Sequence, residues 1–161
     1  MSKKRDVSLR KGKAMKIPEY ITVQEVQRIC KQLKIRDWTK LKKADVPLKE
    51  ARIILAEIKA GKMKIEIKEF CKGLEVELEH GLVFKDANVT NNHPVLTGKI
   101  VLAHFMESLD YYRRLEVSEL EGDLFKAVKA KNSAKAKALY KKLANAKLAL
   151  SKAEAKQLSL T

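Results

Sequence analysis

The feature that most constrains the fold is a helical spacing of apolar residues, which returns in almost every segment after Thr22. Apolar side chains recur every three or four residues, the period of an α-helix, whereas a half-buried strand alternates every two. Only six Gly and three Pro occur in 161 residues, which favours helices over a sheet with many turns. The sequence therefore predicts an all-α fold, a compact multi-helix domain. The predicted helices cover 23–34, 38–43, 47–60, 64–80, 95–108 and two stretches between 118 and 150.

The positive charge is concentrated at the two ends of the chain. Residues 1–16 carry seven Lys and Arg against one Asp, and residues 126–161 carry ten Lys against one Glu. The part between them is neutral, within a net charge of +15. We therefore divide the chain into a basic N-terminal arm expected to be disordered (1–16), a helical core domain (17–116) and a basic amphipathic helical extension rich in Lys and Ala (117–161).

Basic ends of this kind suit polyanions, because a Lys or Arg that neutralises a phosphate releases a counterion. Lys greatly outnumbers Arg and the ends hold almost no aromatic residues, so we expect contact without base stacking or base reading. The expected partners are a nucleic-acid backbone or an acidic protein surface, and the alternative is that the lysines only maintain solubility. The candidate contact residues are Lys3, Lys4, Arg5, Arg10, Lys11, Lys13, Lys135, Lys137, Lys141 and Lys142.

The first three predicted helices have the spacing of a helix-turn-helix, with 47–60 as the second helix. Readers of base sequence in the major groove commonly add side chains such as Asn, Gln or Ser to their basic residues. The positions of this helix expected to be exposed carry charges of both signs and none of those side chains: Lys49, Glu50, Arg52, Glu57 and Lys59. We therefore expect a packing unit here and not a sequence-specific DNA reader.

The C-terminal extension contains a thin apolar stripe, formed by Ala136, Leu139, Leu143, Ala146 and Leu150. A Lys-rich helix with such a stripe is stable only when the stripe docks on something. The docking surface is either the core domain or another protein, and the Leu139–Leu143–Leu150 seam is a possible oligomer contact. Two capping boxes, Ser118 with Glu121 and Ser151 with Glu154, predict helix starts.

Cys30 and Cys71 each fall in an apolar helical pattern, which predicts two buried reduced thiols. No apolar run approaches the roughly 20 residues of a membrane span. The N-terminus is charged and lacks the apolar stretch of a signal peptide. We expect neither a membrane span nor secretion through a signal peptide.

Polar residues gather in two stripes between Gly73 and Tyr111. Gly73, Glu77 and His80 lie along one flank of the helix 64–80, which Gly81 is expected to end. A glycine inside a helix is unfavourable, and its usual compensation is the close approach of another element. Ile100, His104, Glu107 and Tyr111 form the second stripe, on a helix at 95–108 that continues towards the tyrosine. The loop between the helices is rich in Asn and is expected to be ordered by local hydrogen bonds.

Two Glu-His pairs spaced one helical turn apart form a set that could hold a metal ion: Glu77, His80, His104 and Glu107. The alternative is a structural hydrogen-bond network in which His80 caps its helix and His104 pairs with Glu107 or Tyr111. No nucleophile and no Gly-rich phosphate loop accompanies these residues. We therefore predict no catalytic residue and no cofactor.

Three segments carry a family resemblance: GLEVELEHG, NVTNNHP and TGKIVLAHFMESLDYYRRL. Residues 64–116 resemble a family classed only as a domain of unknown function, with members in bacteria, archaea, phages and large DNA viruses. Its pattern reads ELEHG, then NVTNxxP, then TGKIxLAHxxExxDYYxRL. The resemblance implies a compact helical fold and a shared site, but no activity. In two places this chain departs from the pattern, with His93 at a usually acidic position and Ser108-Leu109 replacing an aromatic-Pro pair.

These observations predict a non-enzymatic structural or binding protein. The presence of the resembling family in phages and large viruses suggests a virion- or nucleoprotein-associated component, such as a minor capsid protein. Its partners would be other structural proteins or a nucleic-acid backbone, and its location intracellular or within a virus particle. The alternative is a metal-binding protein or a metal-dependent hydrolase that uses the His and Glu cluster.

Overall fold

The structure is a computed structural model that describes residues 20–159. This range contains six α-helices, two short 3-10 helices at Trp38–Lys40 and Lys85–Ala87, and no strand, which confirms the all-α prediction. No helix in the described range is long and apolar enough to cross a membrane. The predicted disordered arm lies outside that range. The helices are α1 Val23–Leu33, α2 Leu48–Ile58, α3 Ile67–Val83, α4 Pro94–Glu107, α5 Tyr111–Lys129 and α6 Ser133–Leu158.

The first four helices and the first turn of α5 pack around one apolar core, and we call this part, residues 20–115, the body. Its largest fully buried side chains include Trp38, Phe70 and Tyr112. Cys30 and Cys71 are buried free thiols, as the apolar helical pattern predicted. Burial of large side chains from every helix stabilises the body through the hydrophobic effect.

The start of α4 is defined by a side-chain cap. His93 is the N-cap residue, and its Nδ1 accepts a hydrogen bond from the backbone N–H of Leu96 at 3.3 Å. Pro94 follows at the first helical position, where its missing N–H costs nothing. A carboxylate oxygen at an N-cap accepts the same bond. His93 therefore supplies the acceptor that caps α4.

Glu50 was predicted to be exposed on α2, and this is wrong because its side chain is buried. Its carboxylate accepts hydrogen bonds from Arg36 Nε at 2.8 Å and from the indole N–H of Trp38 at 3.1 Å. The backbone N–H of Arg36 donates a third bond at 3.1 Å. These bonds lower the pKa of Glu50 although burial acts in the opposite direction. The carboxylate is buried because partners satisfy it.

The prediction for one glycine of α3 is confirmed, and the prediction for the other is wrong. A Cβ on Gly73 would lie 2.6 Å from Val101 Cγ1 and 2.7 Å from Tyr112 Cε2, which confirms that other elements approach closely here. Gly81 does not end the helix, because α3 continues to Val83. A Cβ on Gly81 would instead lie 2.0 Å from Asn92 Oδ1. Both glycines therefore make room for a neighbouring side chain.

Helices α5 and α6 form an antiparallel pair, and we call residues 116–158 the hairpin. The predicted boundary at 116/117 lies inside α5, which continues unbroken to Lys129. The capping box at Ser118 is wrong for the same reason, and the one at Ser151 lies inside α6. The start of α6 is fixed by Asn132, whose side chain accepts a hydrogen bond from the N–H of Lys135 at 3.0 Å.

The predicted seam of α6 is used within the chain. Leu139 and Leu143 are buried and Leu150 is half-buried, while α5 is the helix on which α6 packs most extensively. Two ion pairs connect the end of α6 to the body: Arg114 with Glu154 at 2.7 Å, and Lys156 with Glu66 at 3.4 Å. The seam that was considered as a possible oligomer contact is therefore covered by α5 of the same chain.

Candidate functional site

The four residues predicted as a metal set are only partly brought together. Glu77 lies between two imidazoles, with Oε1 at 3.1 Å from His104 Nδ1 and Oε2 at 3.8 Å from His80 Nδ1. Glu107 is exposed on α4 and forms no ion pair with any described residue. Within residues 20–159, no group of three or more His, Cys, Asp or Glu side chains is arranged to hold a metal ion. The predicted tetrad is therefore not assembled in the fold.

Tyr112 completes the arrangement, and the sequence analysis did not identify it. Its hydroxyl donates to Glu77 Oε1 at 2.9 Å and lies 3.0 Å from His104 Nδ1. These three side chains come from α3, α4 and α5, so they join three helices at one point. We call them the Glu77–His104–Tyr112 triangle.

The triangle fixes the proton positions. Because the Tyr112 hydroxyl uses its only hydrogen towards Glu77, the bond to the phenol oxygen requires a proton on Nδ1 of His104. We therefore assign the Nδ1–H tautomer, which leaves Nε2 as the acceptor of the neutral ring. Burial, together with the neighbouring Glu77 carboxylate, strongly raises the pKa of Tyr112. Tyr112 therefore remains a protonated donor at neutral pH.

Aromatic contacts hold the His104 ring in place. Tyr111 stacks on it with ring centroids 4.1 Å apart and planes inclined by 6°. Tyr112 meets it edge-on, at 5.8 Å and 70°. The ring is thus oriented by a carboxylate and covered by a tyrosine, as in a structural network. Of the two partners expected for His104, Tyr111 makes contact by stacking.

The spacing of residues along the sequence did not predict the role of Tyr112, because the polar stripe of α4 was extended to Tyr111 as one helix. The chain instead leaves the helix at Ser108 and begins α5 at Tyr111. Asp110 stabilises the turn, because its buried carboxylate accepts bonds from Ser108 Oγ and from Arg114 Nε. The change in direction brings Tyr112 back towards His104.

The Asn-rich loop closes the same end of α3. The Asn88 amide donates to the carbonyl of Gly81 at 3.2 Å and to Asn92 Oδ1 at 3.0 Å. Asn91 and Asn92 adopt left-handed backbone conformations, with φ of 48° and 58°. Asn tolerates that region better than most residues. The prediction that local side-chain bonds order this loop is confirmed.

The predicted basic contacts on α6 lie towards the end of the hairpin that is away from the triangle. Those in the arm, Lys3 to Lys13, are outside the described residues. The other four are exposed on α6, as are three further lysines around the turn between the helices. Residues 124–145, which we call the tip, contain seven Lys and no Asp or Glu. The seven are Lys126, Lys129, Lys131, Lys135, Lys137, Lys141 and Lys142.

Nearer the body, the hairpin changes its charge. Glu116, Glu119 and Asp123 of α5 line an open groove, with Lys142 and Asn145 of α6 among the residues on its other side. Asp123 also accepts from Lys126 at 3.0 Å, and Glu121 pairs with Lys147 at 2.7 Å. The unbalanced positive charge of the hairpin is therefore concentrated at its tip.

Comparison with known proteins gives one relationship. No curated protein and no solved structure matches the chain. Residues 26–121 match a family described as protein of unknown function (DUF5661), so the match covers more than half of the chain. It includes the Glu77–His104–Tyr112 triangle and ends within α5, before the tip. The chain belongs to this family of proteins of unknown function.

Proposed function

We propose that this chain is a non-enzymatic binding protein of a nucleoprotein assembly, such as a virion. The hairpin tip attaches the body to the backbone of a nucleic acid, without reading its sequence. The body serves as a rigid support, and the Glu77–His104–Tyr112 triangle fixes the direction of α5. The observation that carries this proposal is the charge of the tip, where seven exposed lysines occur without one carboxylate.

The position of these lysines favours a polyanion as the partner. Lys126 pairs with Asp123, and the other six form no ion pair with any described residue. Around α6, Lys135 and Lys142 project from one flank, while Lys137 and Lys141 lie on the side away from α5. Lysines on two sides of α6 suit a partner with closely spaced negative charge, and duplex DNA carries one charge about every 1.7 Å.

The test measures binding of a fluorescently labelled duplex by anisotropy at several salt concentrations. The wild-type chain should bind, with affinity falling steeply between about 50 and 200 mM salt. A variant with Lys135, Lys137, Lys141 and Lys142 changed to Gln should bind more weakly. Its slope of log affinity against log salt should shrink by about 1 for each phosphate that the variant no longer neutralises.

A matched control removes the same charge from the body. Lys31, Lys42, Lys49 and Lys62 are exposed and form no ion pair with a described residue. Changing these four to Gln should leave the affinity and the salt slope close to wild type. Equal weakening by both variants would mean that only net charge matters, and absence of binding to both duplex and single-stranded nucleic acid would refute the proposal outright.

The position of Glu77 between two imidazoles supports a second candidate, a metal-binding protein or metal-dependent hydrolase. Its test is elemental analysis of the purified chain and of Glu77→Gln. A stoichiometric transition metal that disappears in Glu77→Gln would favour this candidate. The exposed Glu107→Gln serves as the control and should leave the metal content unchanged.

A further inference from the structure

The hairpin tip is not only basic, because it also exposes large apolar side chains. Phe125 is 69% exposed, Tyr140 is 66% exposed and Val128 is 61% exposed. Single exposed apolar residues are normal on protein surfaces, but a contiguous group marks a contact surface. Whether these three residues are contiguous follows from the register of the two helices.

Two ion pairs fix that register. Arg114 pairs with Glu154 and Glu121 pairs with Lys147, each at 2.7 Å. Seven residues forward along α5 therefore correspond to seven residues back along α6. Seven residues make about two helical turns, so successive pairs lie on the same side of the hairpin. Seven further residues along α5, from Glu121, and seven back along α6, from Lys147, place Val128 opposite Tyr140.

Phe125 extends this pair across α5. It precedes Val128 by three residues, and side chains with that spacing are neighbours on a helix surface. Phe125, Val128 and Tyr140 therefore form one strip that crosses both helices at the tip, and we call it the tip strip. Two aromatic rings thus flank a valine within the segment that holds seven lysines and no carboxylate.

We propose that the tip strip binds single-stranded nucleic acid, with bases stacked on Phe125 and Tyr140 and phosphates held by the surrounding lysines. This inference rests on the proposed function and specifies its partner. Proteins that bind single strands without sequence preference combine positive charge with exposed aromatic rings. In a duplex the faces of the bases are covered by their neighbours, so the rings gain nothing there. The tip therefore prefers single strands to duplexes.

Stacking on the tip strip departs from the sequence expectation that base stacking is absent. That expectation counted aromatic residues within the basic segment 126–161, which contains only Tyr140. Phe125 lies one residue before this segment, and the fold of the hairpin joins it to Tyr140 through Val128. The lysines that would bind the phosphates and the two aromatic rings that would stack on the bases therefore lie together at the tip.

The experiment compares a labelled single-stranded oligonucleotide of mixed sequence with its duplex at one salt concentration. The wild-type chain should bind the single strand more tightly. Phe125→Ala and Tyr140→Leu should each weaken single-strand binding by about 5- to 100-fold and change duplex binding less than twofold. Circular dichroism should show unchanged helix content, because both side chains are exposed.

Two conservative changes separate stacking from other effects. Tyr140→Phe keeps the ring and should keep the affinity, whereas Tyr140→Leu keeps apolar area without a ring. Tyr20→Ala removes an aromatic residue from the body that is 82% exposed, and it should have no effect. Single-strand affinity that survives Phe125→Ala and Tyr140→Leu would overturn the inference, and so would equal losses for single strand and duplex.

The outcomes also distinguish this inference from the proposed function. If the Lys→Gln variant loses both ligands while the aromatic variants lose neither, polyanion binding stands and the stacking inference fails. If the wild-type chain binds neither ligand, both fail. If sedimentation shows a dimer that Phe125→Ala dissociates without changing affinity, the tip strip is an interface between copies and the inference is again overturned.

Discussion

The body and the hairpin are stabilised in different ways. The core of the body draws buried apolar residues from α1 to α4 and from Tyr112 of α5. The hairpin has four buried residues outside that cluster, namely Ala127, Leu139, Leu143 and Ala146. Each helix of the body has several neighbours, whereas α6 packs mainly on α5. The body is thus a packed domain, and the hairpin is a pair of helices joined by one seam.

The two regions also differ in how their charged side chains are paired. In the body, charged groups such as Glu50 and Asp110 are satisfied by partners within the chain. At the tip, lysines repel one another across a thin seam, which destabilises the hairpin in the absence of a partner. A bound polyanion would remove that repulsion. The contrast can be tested by making equivalent substitutions in the two regions.

The largest effect is expected from shortening a buried leucine. Leu74→Ala in the body removes a fully buried side chain and should lower the free energy of unfolding by about 3–5 kcal/mol. Leu143→Ala in the hairpin should cost only about 2 kcal/mol, because a seam open to solvent relaxes more easily. Urea denaturation measures both, and hydrogen exchange should show that Leu143→Ala deprotects α6 alone. Equal, global losses would mean that the two regions unfold as one unit.

A smaller effect, of opposite sign in the two regions, is expected from adding a methyl group to a helical glycine. Gly73→Ala should destabilise by about 1–3 kcal/mol, because its Cβ meets the buried Val101 and Tyr112 side chains. In Gly122→Ala nothing lies within 4 Å of the new Cβ, so it should stabilise by up to about 1 kcal/mol through helix propensity. Thermal unfolding measures both changes, and destabilisation by Gly122→Ala would show that the hairpin is more tightly packed than described.

The smallest effect is a pH dependence confined to the body, since the hairpin contains no histidine. Burial lowers the pKa of His93 below its ordinary value of 6.5. The unfolded chain therefore binds the proton more readily, so this residue favours the folded state above pH 6.5 and that contribution is lost as the pH falls through the lowered pKa. His93→Asn keeps an N-cap acceptor and does not titrate.

Denaturation curves of wild type and His93→Asn between about pH 7.5 and pH 5 measure this contribution. The wild-type protein should lose stability relative to the variant as the pH falls. Hydrogen exchange in α6 should show no such difference between the two proteins. A constant difference in stability across the pH range would show that His93 does not cause the pH dependence.

Most of the fold follows from local patterns. The apolar spacing predicted α1, α2 and α4 to within two residues. The wrong predictions arose where a local sequence pattern is compatible with more than one structure. Gly81 is typical of a helix end but here makes room for Asn92, and Ser118 begins a capping box only when a helix starts there.

The candidate site was harder to predict because its contacts join distant segments. Tyr112 is 35 residues from Glu77, and they meet only because the chain turns at Asp110. Glu50 belongs to a charged pattern and is buried because Arg36 and Trp38 return to it from earlier in the chain. The register of the two helices places Phe125, Val128 and Tyr140 on one side of the tip. The spacing of residues along the sequence does not show which distant residues meet in the fold.

The unbroken course of α5 has a mechanical consequence. The helix has 19 residues and is therefore about 28 Å long, with Tyr112 held in the body at one end and Val128 near the other. A rigid tilt of about ten degrees about the point where Tyr112 crosses Gly73 would move the far end by about 5 Å. Force applied to the tip would therefore act on the Glu77–His104–Tyr112 triangle, at the join between three helices.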